Sequence, residues 1–449
     1  MKRYDSYKPT GLNWFSEIPI GWEWRFLSQV AHEQNIKKPV GEMYPVMTLS
    51  YGEIKRKANI DAGLVPSNYD NYQMLYRGNI VLRLIDLQND HTSLRTGLVK
   101  ETGIITSAYT CIAPTENAAY VRYLLHSYDT RKVFYGYGGG VRQSIGYKDI
   151  RHLQVPVPPR EEKDQIVRYL DWQVSKINRL IAAKKQEIAL FEESKVNHIA
   201  NAVLHGVRHH EHCIETTEFG SIPAHWQVIQ NKRLFCERVE HTETGTETLL
   251  SVSKHYGVKP SAELTEDEQF ATIKPALSLV GYKVVRKNDL VMNIMRARNG
   301  SYGISDYDGI VSPAYCIYYT TKECNVKYLH YFLRTPHVKS LFEAYSSGIA
   351  EHRRRLYPED FLRLKSVLPP LEEQDEIVEH IEQAIVKYDA GIANLRQQIA
   401  CLQDMKTRLI SDVVTGQVDV RGIEVPEYEV VQDIAAEPEE ETEEMMEEV

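Results

Sequence analysis

Ten residues are written almost identically twice in this chain of 449. PPREEKDQIV begins at Pro158 and PPLEEQDEIV at Pro369, an offset of 211. The likeness continues without a gap over 46 positions: Lys176 pairs with Lys387, Ile181 with Ile392, Gln186 with Gln397, Lys195 with Lys406 and Val203 with Val414. Gap-free register over that length is what a continuous helix demands, because one inserted residue would turn every later side chain by about 100°. The apolar positions agree. In the second copy Ile377, Ile381, Ile385, Tyr388, Ile392, Leu395, Ile399 and Leu402 recur at steps of three and four, which is a heptad seam. The first copy repeats it with Ile166, Leu170, Val174, Ile177, Ile181, Ile188 and Phe191, and places Lys184 where the second has Leu395. Pro-Pro stops the chain ahead of each copy, the Glu pair that follows suits the positive end of a helix dipole, and Gly206 and Gly416 mark the ends.

Two further marks recur. Ile18, Pro19 and Trp22 in IPIGW return as Ile222, Pro223 and Trp226 in IPAHW, and GIITSAYTCI from Gly103 returns as GIVSPAYCIY from Gly309. Their offsets, 204 and 206, differ from that of the helices, so insertions lie between the marks. The plan is a duplicated unit: an Ile-Pro-Trp mark, a variable globular domain, then a long helix. Runs such as NIVLRLI and DLVMNIM predict strands, whereas YVRYLLHSY and VKYLHYFLRT predict short helices, so the globular parts read as mixed α/β. The fold class is α+β, with domains at 1–157 and 222–368, helices at 158–206 and 369–416, a linker at 207–221 and an extension at 417–449. A helix of 46 residues extends about 70 Å. Each helix leaves one domain toward the other, so packing of the two seams predicts an antiparallel coiled coil with a pseudo-two-fold axis, one chain imitating a dimer. Dimers that bind DNA use such an axis to read two half-sites. A scaffold holding two protein-binding domains apart fits the same geometry, and both readings stay open at this point.

The net charge of −9 argues against nucleic acid until it is divided along the chain. From Glu424 onward there are twelve acidic residues and no Lys or Arg, so residues 1–423 carry 53 basic against 50 acidic groups, a net +3. The tail, ending EPEEETEEMMEEV, is expected to be disordered. No apolar run reaches the roughly 18 residues of a membrane helix and no signal peptide opens the chain, which predicts a cytoplasmic protein with no membrane partner. Six dispersed cysteines without a C-x-x-C pair argue against a disulfide framework or a zinc knuckle.

Motifs of catalysis are missing: no phosphate loop, no dinucleotide fingerprint, no H-E-x-x-H and no G-x-S-x-G. No catalytic residue is expected. The cluster LHGVRHHEHC holds His205, His209, His210, His212 and Cys213, but adjacent histidines rarely converge on one ion, so no metal is expected either. Asp86 and Asp90 have no lysine placed to complete a nuclease site and read as surface. For nucleic acid the best-placed residues close each domain just before its helix: Arg142, Gln143, Ser144 and Lys148 in the first, and Arg353, Arg354 and Arg355 in the second. Arginine pairs bidentately with guanine edges or clamps phosphates. Arg83, Arg95, Arg296, Arg298 and Asn299, in or after predicted strands, are further candidates.

The duplicated IPxxW mark, the GGGVRQSIG and SGIAEHRRRLYPEDF stretches, the VPVPPREEKDQIV and VLPPLEEQDEIV junctions, and the endings NHIANAVLHG and ISDVVTGQV together resemble the specificity subunit of type I restriction-modification enzymes, over nearly the whole chain up to Gly422. The resemblance implies two target-recognition domains, each reading half of a bipartite double-stranded DNA site, with the two helices setting the spacer and docking two methyltransferase subunits. It implies no catalysis and no cofactor on this chain; S-adenosylmethionine, ATP and Mg would sit on the methyltransferase and motor-nuclease subunits. A methylation-only system is the nearest alternative. Base-reading positions do not carry over, because recognition domains diverge with their targets.

Overall fold

The computed structural model describes residues 2–50, 52–57, 69–85, 87, 94–137, 144–254, 256–264, 278–348 and 354–431. These form two units. The first contains the chain up to Lys185 together with the stretch from Arg396 onward, and the second runs from Gln186 to Leu395. The long helices, Arg160–His205 and Leu371–Val414, therefore each begin in one unit and end in the other.

Each unit is built on a four-stranded antiparallel sheet. In the first its order is Ala31–Glu33, Thr110–Pro114, Ile80–Leu82, Thr96–Leu98, and in the second Phe235–Glu237, Tyr315–Thr320, Leu290–Asn293, Tyr302–Ile304. The predicted strand runs supply Ile80–Leu82 and Leu290–Asn293, both fully buried, because continuous apolar sequence belongs to strands covered on both faces. The predicted helices appear as Ala118–Thr130 and Val326–Leu333. Each is capped by an asparagine, Asn117 or Asn325, whose side-chain oxygen accepts from the amides two and three residues on. The Ile-Pro-Trp marks close matching hairpins: Tyr7–Pro9 pairs with Glu17–Pro19, and Cys213–Thr216 with Gly220–Pro223. The stretch expected to be a linker, 207–221, thus contributes strand to the second unit, since its Ile214 faces Ile222 across the hairpin.

The repeated junction has a physical explanation, found identically in both units. A short strand before Pro-Pro, Gln154–Val157 or Lys365–Leu368, pairs with the strand just after the repeated tryptophan, Trp22 or Trp226. Trp22, 1% exposed, donates its indole N–H to Glu162 at 3.0 Å, and Trp226 donates to Glu373 at 2.9 Å. Asn117 and Asn325 donate from their amides to Asp164 and Asp375 in the first turns of the long helices, at 2.8 and 2.7 Å. The repeated Glu and Asp of the junction are thus latch residues as well as favourable charges for a helix N-terminus.

Each unit also grips the end of the other long helix. The buried Tyr120 hydroxyl reaches Pro156 O at 2.9 Å and Val414 O at 3.1 Å; the Tyr328 hydroxyl reaches Val367 O at 3.0 Å and Val203 O at 3.1 Å. The strand leading into one long helix and the end of the other thus share one donor, so the two helices run in opposite directions within each unit. Gly416 and Gly206 end those helices with φ of +74° and +77°, and a Cβ on either would lie 3.2 Å from the ring of Trp22 or Trp226. Only glycine meets both demands.

The seam is buried where the units close around it. Ile166, Leu170, Ile177 and Ile181 join the core of the first unit with Val174, Ile399 and Leu402 at its margin, while Ile377 and Ile381 join that of the second with Ile385 partly covered. Ile392 and Leu395 are buried, but Ile188 and Tyr388 are only half-buried and Phe191 is exposed. Phe191 meets Tyr388 edge-on and sits over Gly391, whose missing side chain lets the ring approach.

The acidic tail is ordered where it begins. Ser175 donates to Glu429 O at 2.8 Å and accepts from Val431 N, Asn178 donates to Val431 O at 3.1 Å, and Arg179 pairs with Glu429. The disorder expected from Glu424 onward therefore does not hold for 424–431, whose backbone is bound by polar groups on the helix; 432–449 lie outside the described residues.

Candidate nucleic-acid interface

In both units the segment before the junction is hydrogen-bonded to the exit of a central strand. Ile145 N donates to Leu84 O at 2.9 Å in the first unit, and Leu356 N to Ile294 O at 3.0 Å in the second. Candidates that lie some sixty residues apart in sequence, Arg83 with Ser144 and Arg296 with Arg355, are thereby drawn to one edge of each domain.

In the first unit Arg83, Ser144 and Lys148 are exposed, Lys148 on the turn of helix Tyr147–Ile150. Arg95 is placed otherwise. It is 5% exposed, and its guanidinium donates to Arg83 O at 3.1 Å and Ile85 O at 2.6 Å. It braces the backbone beneath Arg83 and does not present its charge to a ligand, because a buried cation needs its hydrogen bonds filled. Arg142 and Gln143 lie outside the described residues, as do Asp86 and Asp90.

In the second unit Arg298 and Asn299 are half-buried in the turn Ala297–Asn299, which Gly300 closes at φ +91°. Arg296 precedes that turn, near enough to Tyr315 to draw down a phenol that burial pushes up. Arg354 donates to Ser346 O at 3.0 Å and Glu343 O at 2.9 Å, so its charge sits on the C-terminal carbonyls of helix Pro336–Tyr345. Arg355 is exposed, and its backbone bonds Ser347 in both directions. Arg353 lies outside the described residues. Of the three successive arginines, then, Arg354 is used for structure and Arg355 faces outward.

Two lysines absent from the sequence reading join this edge. The side chains of Lys339 and Lys254 approach Gly300, within 3.6 and 3.8 Å of where its Cβ would stand. No local pattern marks them; Lys254 follows a hairpin strand and Lys339 rides a helix, and only the fold brings them to the Arg296–Asn299 turn. Lysines and arginines on one edge suit phosphate contact, which holds a duplex without reading it.

Two imidazoles are held neutral by their surroundings, His126 buried and His330 partly buried. Burial, with Arg122 and Lys406 nearby, lowers His126 to about 3, and burial with Arg334 lowers His330 to about 4, so both are neutral. Among the described residues one set of side chains is close enough to share a metal: His210, His225 and Glu373, with ligand atoms within 4.8 Å of one another. Only His210 belongs to the histidine cluster of the sequence; the other two come from the Trp226 loop and the second helix.

No protein-family model matches the chain. Over 316 residues it is 24% identical to the "Putative type I restriction enzyme MjaX specificity subunit" of Methanocaldococcus jannaschii, covering 67% of this chain and 68% of that protein. Over 296 residues it is 22% identical to the type I restriction enzyme MjaVIII specificity subunit of the same organism, covering 62% and 65%. A chain solved in a study of complex assembly and conformational transition of the type I R-M system shares the fold, with a TM-score of 0.56 at 15% identity over 89% of this chain and 99% of that one. No helix among the described residues is long and apolar enough to cross a membrane. In sequence as in the duplicated architecture, this chain resembles the specificity subunits of type I restriction-modification enzymes.

Proposed function

We propose that the chain is the non-catalytic DNA-specificity subunit of such an enzyme, each unit reading one half of a bipartite target. The observation that carries this is the contrast within the duplication. The latch residues Trp, Glu, Asn, Asp and Tyr occupy equivalent places in both units. The domain edges bonded to the central strand hold different residues, Arg83, Ser144 and Lys148 against Arg296, Arg298 and Arg355. One frame with two unlike edges is what recognition of two unlike half-sites requires. A scaffold for two protein partners would need the frame but no basic edge in each unit.

Methyltransferase subunits with S-adenosylmethionine would supply the chemistry, and motor-nuclease subunits with ATP and Mg would add cleavage in a restricting system. The test is co-expression with a methyltransferase subunit, followed by gel shift at low salt and sequencing of methylated DNA. The expected result is one asymmetric motif, two half-sites around a fixed gap. Absence of binding to any duplex refutes the proposal, and methylation of a single uninterrupted motif refutes the division of labour between units.

A further inference from the structure

The two junctions are near copies that differ around the tryptophan-bound glutamate, so the first unit serves as a comparison for the second. In the first, Glu162 accepts from Trp22 and from the Tyr4 hydroxyl. The residue before that tryptophan is Gly21, and four residues beyond the helix-ending Gly416 lies Val420, fully buried. In the second unit the residue before Trp226 is His225, and four residues beyond Gly206 lies His210. Two imidazoles have replaced a glycine and a valine around the same carboxylate.

Their geometry is that of donors gathered around a common point. Trp226 holds Oε2 of Glu373 at 2.9 Å, which leaves Oε1 directed at Nε2 of His225, 2.6 Å away. The His210 and His225 rings lie 5.2 Å apart between centroids. His210 Nε2 is shielded from solvent and has no hydrogen-bond partner among the described residues. It lies 2.7 Å from where a Cβ on Gly206 would stand, so the glycine that ends the helix also makes room for the ring. A buried imidazole nitrogen without a partner is costly, and a metal ion would satisfy it.

We propose that His210, His225 and Glu373 bind one divalent transition-metal ion of the zinc class, with a fourth position open to water. Two imidazole nitrogens and one carboxylate oxygen are a recognised zinc donor set, and bonds of about 2.0–2.2 Å about a tetrahedral ion set ligand atoms roughly 3.3–3.6 Å apart. The close pair would part by about 1 Å and the widest would draw in by about the same, shifts within the reach of side-chain torsions. Trp226 then acts as the outer partner that orients the carboxylate. The ion would tie together the turn after the first long helix, the Trp226 turn that follows the hairpin, and the first turn of the second helix, all within the second unit. The site is independent of the DNA-reading proposal.

The experiment loads the metal-free full chain with Zn2+, measures metal per chain after desalting, and repeats the titration with Co2+ followed by its visible spectrum. One ion per chain is expected, with a cobalt spectrum of four- or five-coordination and an unfolding midpoint that rises with free Zn2+. H210A, H225A and E373Q should each weaken binding at least tenfold, while H209A/H212A binds as the parent does. His225 is exposed, so H225A keeps its fold, checked by circular dichroism without metal. Substoichiometric uptake by the parent overturns the proposal, as does unchanged affinity in H225A, or loss confined to H209A/H212A, which would assign the metal to the loose histidines of the cluster.

Discussion

The latch in the first unit invites a direct perturbation. Glu162 is 9% exposed and accepts from two buried donors, the Trp22 indole and the Tyr4 hydroxyl. Burial, and then the neighbouring carboxylate, holds the Tyr4 phenol far above its ordinary range, so Tyr4 is the donor. Replacing Glu162 with Leu leaves both donors buried and unpaired, at about 1–3 kcal/mol each. Apolar contact returns about 1 kcal/mol, giving a net loss of about 1–5 kcal/mol. Glu162→Gln keeps an acceptor of the same shape and loses only the charge-assisted part, about 1–2 kcal/mol. Denaturant unfolding followed by tryptophan fluorescence measures the loss. Hydrogen exchange over residues 160–170 localises it, and about 1–5 kcal/mol appears there as roughly 5- to 5000-fold faster exchange. If E162L and E162Q are equally stable, or if E162L stays within 1 kcal/mol of the parent, the reasoning that the repeated glutamate is a latch is refuted.

Three further outcomes follow from the structure. His126 and His330 have folded values of about 3 and 4, below the ordinary imidazole value near 6.5, so the unfolded chain binds more protons. Their contribution is whole above pH 6.5 and falls as pH drops toward 4, costing about 2 kcal/mol per histidine at pH 5; H126L should flatten this slope in a pH series of unfolding curves. Arg83→Ala and Arg355→Ala should each weaken duplex binding and lower its salt slope by about 1, whereas Arg354→Ala should loosen helix Pro336–Tyr345 and leave the slope unchanged. Inserting seven residues into both long helices, after Lys184 and before Arg396, keeps the seam in phase and adds about 10 Å of helix. At about 3.4 Å per base pair the gap in the methylated motif should grow by about three base pairs with both half-sites unchanged, and an unaltered gap in methylation sequencing would refute the role of the helices in setting the spacer.

Much of the frame was legible because repetition is local information. The ten letters at Pro158 and Pro369 located both helix starts, the heptad steps located the seam, and the strand runs around Val81 and Val291 reached the central strands. Exposure was less legible. Phe191 satisfies the heptad as well as Ile181 does, yet one is exposed and the other buried, since burial depends on what lies opposite and the heptad does not report it.

The candidate edge divided in the same way. Arg95, Arg354 and Arg355 are alike as letters; backbone carbonyls that the fold brings to the first two make them braces and leave the third outside. The histidine cluster misled by being compact, for His210 finds its neighbours at positions 225 and 373, not among the histidines beside it. By itself the sequence determined the duplication, the helices and the places where domain meets helix, because these rest on periodicity and on residues adjacent in the chain. The tertiary structure decided which charges are free to meet a ligand and which donors converge, because a hydrogen bond or a metal joins atoms by distance through space, and chain separation carries no record of it.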